Sequence, residues 1–149
     1  MYVKRSTDSD GAFLTLKKSQ EVGREFCKLE VAQLQAFYPF LKEKVSFQEL
    51  KGFPCVIMPF FVPLSKEERK ESKTNVQTCL SSFESEGKKW QYSDCDLRWR
   101  HVGYFVPQDG EKQMVSFDLA ELEEVEQHED FNDVVERQTE SLMGRLEPE

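Results

Sequence analysis

The side chains that titrate or attack near neutral pH are few: His101 and His128, and the thiols Cys27, Cys55, Cys79 and Cys95. The cysteines contain no C-x-x-C pair, and two scattered histidines cannot complete a zinc-finger spacing. Cys95 and His101 fall on one face of an extended reading, but six residues of strand separate them by roughly 20 Å, too far for a nucleophile–base dyad. Asp94 and Asp96 would project together about 7 Å apart, a spacing that suits a divalent cation, yet no third ligand accompanies them. The sequence has no G-x-S-x-G, P-loop, G-x-G-x-x-G or H-E-x-x-H motif. It therefore assigns no catalytic residue, no metal ligand and no cofactor. His101 reads as a hydrogen-bonded core histidine, and His128, among Glu126, Glu129 and Asp130, as a solvated residue.

Recognition residues are more concentrated. Lys88, Lys89, Trp90, Tyr92, Arg98, Trp99, Arg100 and Tyr104 crowd into 17 positions. On a single strand running from Trp90 to Val106, Trp90, Tyr92, Arg98, Arg100 and Tyr104 share the face opposite Leu97, Trp99 and His101. Trp, Tyr and Arg are the types enriched at protein–protein hot spots, and they also suit base stacking on single-stranded nucleic acid. A second possibility is a small-molecule-binding protein or enzyme with an apolar pocket near 53–64, where Phe53, Met58, Phe60 and Phe61 would surround His101 as the polar group.

Charge is unevenly spread. The 149 residues carry 28 acids and 20 bases, a formal net charge of −8. Residues 118–149 hold twelve of those acids against Arg137 and Arg145, whereas residues 1–117 are slightly basic. Glu123, Glu126 and Asp130 belong to this acidic stretch, which would face a basic partner or the Lys88–Arg100 patch. Net acidity argues against a general nucleic-acid binder, although the basic first part keeps that reading open. No stretch is apolar enough for a membrane span, and the N-terminus lacks a signal-peptide core. A cytoplasmic or nuclear location with free cysteines follows, with a protein partner of unknown identity.

These residues need elements to hold them. The pattern predicts a hairpin over 2–18, with a turn at Ser6–Gly11 and a strand at Ala12–Leu16, then a strand over about 24–31 passing into a short helix broken near Tyr38 by Pro39. Ser46-Phe47-Gln48-Glu49 has the form of a capping box opening at most one turn, and Cys55–Met58 reads as a buried strand. Ser65-Lys66-Glu67-Glu68 is a second capping box, leading a helix to about Glu86 whose apolar face is Val76, Cys79, Leu80 and Phe83. Pro107-Gln108-Asp109-Gly110 is the turn of a hairpin returning through Met114–Phe117. Asp118 then caps a helix, and a second helical piece presents Phe131, Val134, Val135, Gln138, Leu142 and Leu146. The expected fold is α+β: an antiparallel sheet containing a hairpin over about 95–117, helices on one side, and acidic C-terminal helices. Residues 1–117 would form the core domain, with 118–149 packed on it or extending from it. Such a chain reads as a non-catalytic protein-interaction module or a subunit of a larger assembly.

Overall fold

The computed structural model describes residues 2–5, 16–93 and 96–145. The chain forms two compact units, Met1–Phe60 and Phe61–Glu149. Each combines helices with antiparallel sheet, so the fold is α+β.

In the first unit, β1 (Tyr2–Arg5) is followed by α1 (Leu16–Phe37), a 3-10 turn (Pro39–Leu41), β2 (Ser46–Leu50) and β3 (Phe53–Met58). The sheet order is β1-β3-β2, antiparallel throughout. The strand expected over 24–31 is helix instead. Cys27, Val31, Leu34, Phe37 and Tyr38 are buried, and their spacing is the 3.6-residue period of one helix face, which outweighs the local alternation at 26–31. The break near Tyr38 is present: α1 ends at Phe37, and Pro39 supplies its fixed φ at the start of the 3-10 turn. Leu16–Lys18 open α1 rather than closing a hairpin, and β1 pairs with β3. The predicted turn at Ser6–Gly11 and residues 12–15 of the predicted strand lie outside the described residues.

Ser46-Phe47-Gln48-Glu49 is strand, not a helix start. The turn that follows decides it. Lys51 (φ 54°) and Gly52 (φ 83°) both have positive φ, the signature of a two-residue type I′ hairpin, whose twist matches the flanking strands. Pro54 sits opposite Glu49, one step from the turn-closing Leu50–Phe53 pair. That is a non-hydrogen-bonded position by ladder alternation, so its missing N–H costs β3 no bond to β2.

In the second unit, β4 (Val62–Pro63), α2 (Lys66–Lys70) and α3 (Lys73–Ser81) precede β5 (Glu84–Ser85) and β6 (Lys88–Gln91). A 3-10 turn (Trp99–His101), β7 (Val102–Phe105), β8 (Gln113–Ser116), β9 (Glu123–Glu124) and α4 (Phe131–Met143) complete it. Two antiparallel sheets result, β4-β7-β8 and β5-β6-β9. The capping box at Ser65 is formed: the Glu68 amide donates to Ser65 Oγ, and the Ser65 amide donates to the Glu68 carboxylate. The helix expected to run to Glu86 is two helices. Ser72 separates them by donating its hydroxyl to the Arg69 carbonyl at 2.8 Å, a side-chain bond that competes with helix continuation. Gly87 (φ 74°) serves the β5–β6 turn. Val76, Cys79, Leu80 and Phe83 form the buried face as expected.

The strand predicted from Trp90 to Val106 is likewise interrupted. Extended backbone covers Lys88–Gln91 and Val102–Phe105, with the 3-10 turn at Trp99–His101 between them. The hairpin survives from Val102 onward, with β7 and β8 joined across the predicted turn. Asp118 caps no helix. It has φ 65°, a left-handed geometry that Asp tolerates and that ends β8, and the chain proceeds to β9 beside β6. The second piece is a helix: Asp130 accepts the Asn132 amide at 2.9 Å, and α4 buries Val134, Val135 and Leu142 while packing on α3 and β6. Leu146 lies outside the described residues.

Candidate functional site

Because the strand breaks, the aromatic and basic side chains do not line one face. Tyr92, Trp99 and Tyr104 are buried, Trp90 and Arg98 are half-buried, and Arg100 is exposed. Trp90 donates its indole N–H to Ser85 Oγ at 3.1 Å. The Arg69 guanidinium covers the Trp99 ring at 5.5 Å, and the Lys112 ammonium covers Tyr104 at 4.3 Å. Lys112 also meets Glu68 at 2.8 Å. That ion pair, with the Ser65 backbone bond, holds the Glu68 carboxyl down to about 2, and Glu68 raises the Lys112 ammonium above its usual range.

What the break does assemble is a polar cluster that the sequence reading missed. The Tyr92 hydroxyl lies 2.5 Å from Ser116 Oγ and 2.6 Å from the Phe117 carbonyl. A carbonyl can only accept, so Tyr92 donates to Phe117 and Ser116 donates to Tyr92. Beside it, His101 Nδ1 accepts the Arg98 amide at 3.3 Å, which leaves the ring proton on Nε2, 3.1 Å from Asp118 Oδ2. Gln138 of α4 donates to the Tyr92 carbonyl at 2.7 Å. The arrangement has the residue types of a hydrolytic triad, but both imidazole nitrogens are engaged and the Ser116 proton is committed to Tyr92. The imidazole is therefore not placed to take the Ser116 proton as a general base would. In the sequence Ser116 reads only as a strand residue and Asp118 only as a helix cap, because the strand from Trp90 to Val106 is read without the 3-10 turn that brings His101 to Asp118.

The other predicted residues are divided between the two units. Phe53 is exposed on the β2–β3 hairpin, Met58 is buried in β3, and Phe60 is 60% exposed at the end of the first unit. Phe61 and His101 belong to the second unit, where the Phe61 ring stacks on Phe117 at 5.5 Å. The crevice formed by Val76, Cys79, Leu80, Leu97, Val102, Met114 and Ser116 involves none of the five and has no space for a water molecule. Cys27, Cys55 and Cys79 are buried thiols outside any disulfide; Asp94 and Cys95 lie outside the described residues. No group of three His, Cys, Asp or Glu among the described residues could hold a metal, and no described helix is long and apolar enough to cross a membrane.

Over residues 118–145 the acidic stretch is anchored. Leu119, Val125, Val134, Val135 and Leu142 are buried, while Glu121, Glu123, Glu124, Glu126, Asp130, Asp133, Glu136 and Glu140 are exposed. Its inner margin meets bases: Glu124 pairs with Lys88 at 3.4 Å, Glu140 with Lys73 at 2.6 Å, and Lys89 lies over the Phe131 ring at 5.0 Å. Glu123 accepts the Ser93 hydroxyl at 3.0 Å. His128 stays on the surface, 3.2 Å from Glu126. In comparisons with known proteins, no family model matches the chain, and no curated protein or solved structure matches it either.

Proposed function

We propose that the chain is a non-catalytic protein-interaction module that offers the outer surface of β9 and α4 to a basic partner protein. One observation carries this reading: over residues 118–145 the acidic stretch is fastened by its apolar residues, so the carboxylates of that part form a held array. A fixed array of one sign speeds encounter with a partner of the other sign and selects against acidic competitors. The closed state of the Tyr92–His101 cluster supports a non-catalytic role. Burial of Tyr92, Trp99 and Tyr104 shifts the binding role from an aromatic strand face to the acids, with Glu123, Glu126 and Asp130 among them. A cytoplasmic or nuclear setting fits this reading.

A lysine-rich peptide titrated into the protein tests it by fluorescence anisotropy. Binding at low ionic strength that weakens steadily with salt is expected, as is loss of binding when Glu121, Glu126 and Glu136 are all changed to Gln. These three cap no helix, so their loss leaves the fold intact. Absence of binding at low salt, or binding unchanged by the triple substitution, overturns the proposal.

A further inference from the structure

Strand β2 has one partner, β3, on its inner side. On its outer side, no backbone group of Ser46–Leu50 bonds to another described residue. The strand is five residues long, in unbroken register with β3, and contains neither proline nor lysine, the usual means of blunting an edge. Its ladder polarity is fixed by the turn. A two-residue type I′ loop closes on a hydrogen-bonded Leu50–Phe53 pair, so Gln48 and Ser46 bond inward to β3 while the N–H and C=O groups of Phe47 and Glu49 point outward.

That pattern is self-complementary. With a second copy antiparallel and a two-fold axis at Gln48, Phe47 of each copy falls opposite Glu49 of the other. Both residues offer outward N–H and C=O groups, so four backbone hydrogen bonds form. Gln48 meets its own copy in a non-hydrogen-bonded pair. The charges agree with this register. Phe47 lies under the Lys28 ammonium at 5.5 Å, and Glu49 bonds to Arg24 at 2.5 Å, so both face α1. Across the axis, each Glu49 carboxylate would lie beside the Phe47 ring and the Lys28 ammonium of the other copy. Glu49 is already held below the usual carboxylate range, chiefly by its Arg24 hydrogen bond and with a smaller contribution from its own Lys28, so it is charged throughout the neutral range.

We propose that the chain associates with a second copy through antiparallel pairing of β2 with β2, joining two three-stranded sheets into one of six. The inference concerns the first unit and does not rest on the acidic surface. An edge contact of this kind is small and falls in the weak, concentration-dependent class.

The test combines sedimentation equilibrium up to millimolar protein with disulfide trapping. In the proposed register the two Gln48 Cα atoms lie about 4.5 Å apart, within disulfide reach. Gln48→Cys is expected to give a covalent dimer much faster than Lys66→Cys on α2 under the same oxidant. Lys28→Glu places two acids opposite each other and should raise the dissociation constant roughly fivefold to tenfold, the range for two exposed pairs. Adding Glu49→Lys to it should restore association. Lys28 is an exposed helix residue, so the single variant folds and the test does not depend on the double one. A protein that stays monomeric at millimolar concentration, or a Gln48→Cys dimer that forms no faster than the control, overturns the proposal.

Discussion

The ring of Tyr92 lies parallel to the imidazole of His101, with 9° between the planes and 6.3 Å between centroids, and the Tyr92 hydroxyl passes on to Ser116 and Phe117. One buried hydroxyl thus ties β6 to the end of β8, next to a histidine whose two nitrogens tie the 3-10 turn to Asp118. Replacing Tyr92 by Phe leaves Ser116 Oγ and the Phe117 carbonyl buried without that partner. The expected loss is about 1–3 kcal/mol of unfolding free energy, the usual cost of orphaning buried polar groups. Ser116→Ala keeps the Tyr92–Phe117 bond and should cost less. Urea denaturation of the two single variants and the double variant measures the coupling; equal losses for the two singles would refute the assigned donor order.

Gly103 lies in β7 at a close approach to the Phe61–Val62 backbone where no side chain fits. A Cβ there would stand 2.8 Å from Phe61 Cβ and 3.1 Å from the Val62 carbonyl oxygen. The Val62 carbonyl is backbone in the strand that β7 pairs with, so it cannot swing aside. Gly103→Ala should destabilise the protein by about 1–3 kcal/mol through overpacking, despite the better strand propensity of Ala. Thermal unfolding followed by circular dichroism checks the sign.

Glu68 predicts part of the acid response. Its carboxyl is held at about 2 in the folded chain against an ordinary value of 4.5. A depressed folded value means that its contribution is fully present above pH 4.5 and is lost as the pH falls towards 2. Glu68→Gln should therefore flatten the stability profile over that interval relative to the parent. Lys112 has the opposite shift, so its contribution is present below pH 10.5 and fades as the pH rises above it. Both side chains are largely solvated, so added salt should shrink the difference between parent and variant.

Where the fold was legible, the signal was a local device with its own geometry. The Ser65 capping box, the Pro39 break, the turn at Pro107–Gly110 and the apolar face of Val76, Cys79, Leu80 and Phe83 all depend on residues within a few positions of one another. The failures have a common cause. Over 24–31 and 90–106, residue types favouring both periods overlap, and the choice belongs to distant partners: β3 against α1, and α4 with β9 against β6. Asp118 shows the same for caps. Its type and Glu121 suit a helix start, but His101 claims the carboxylate from seventeen positions away. The polar cluster was illegible for that reason, since Tyr92, His101 and Ser116 meet only once the 3-10 turn has formed.

The α3–α4 contact separates two kinds of interaction on one interface. Lys73 and Glu140 pair at 2.6 Å, and Glu140 raises the Lys73 ammonium above its ordinary value. Both side chains are about half exposed, at 50% and 55%. A pair of that exposure contributes roughly 0–1 kcal/mol, because water screens it and two long side chains must be ordered. Leu142, on the same helix, is fully buried, and its truncation to Ala should cost about 2–5 kcal/mol in lost transfer energy and residual cavity. Lys73→Ala is thus expected to lower stability slightly and only at low salt, while Leu142→Ala lowers it strongly at every salt concentration. Chemical denaturation at two ionic strengths distinguishes them. A large, salt-dependent loss for Lys73→Ala would mean that charge, rather than the apolar seam, fastens the acidic stretch to α3.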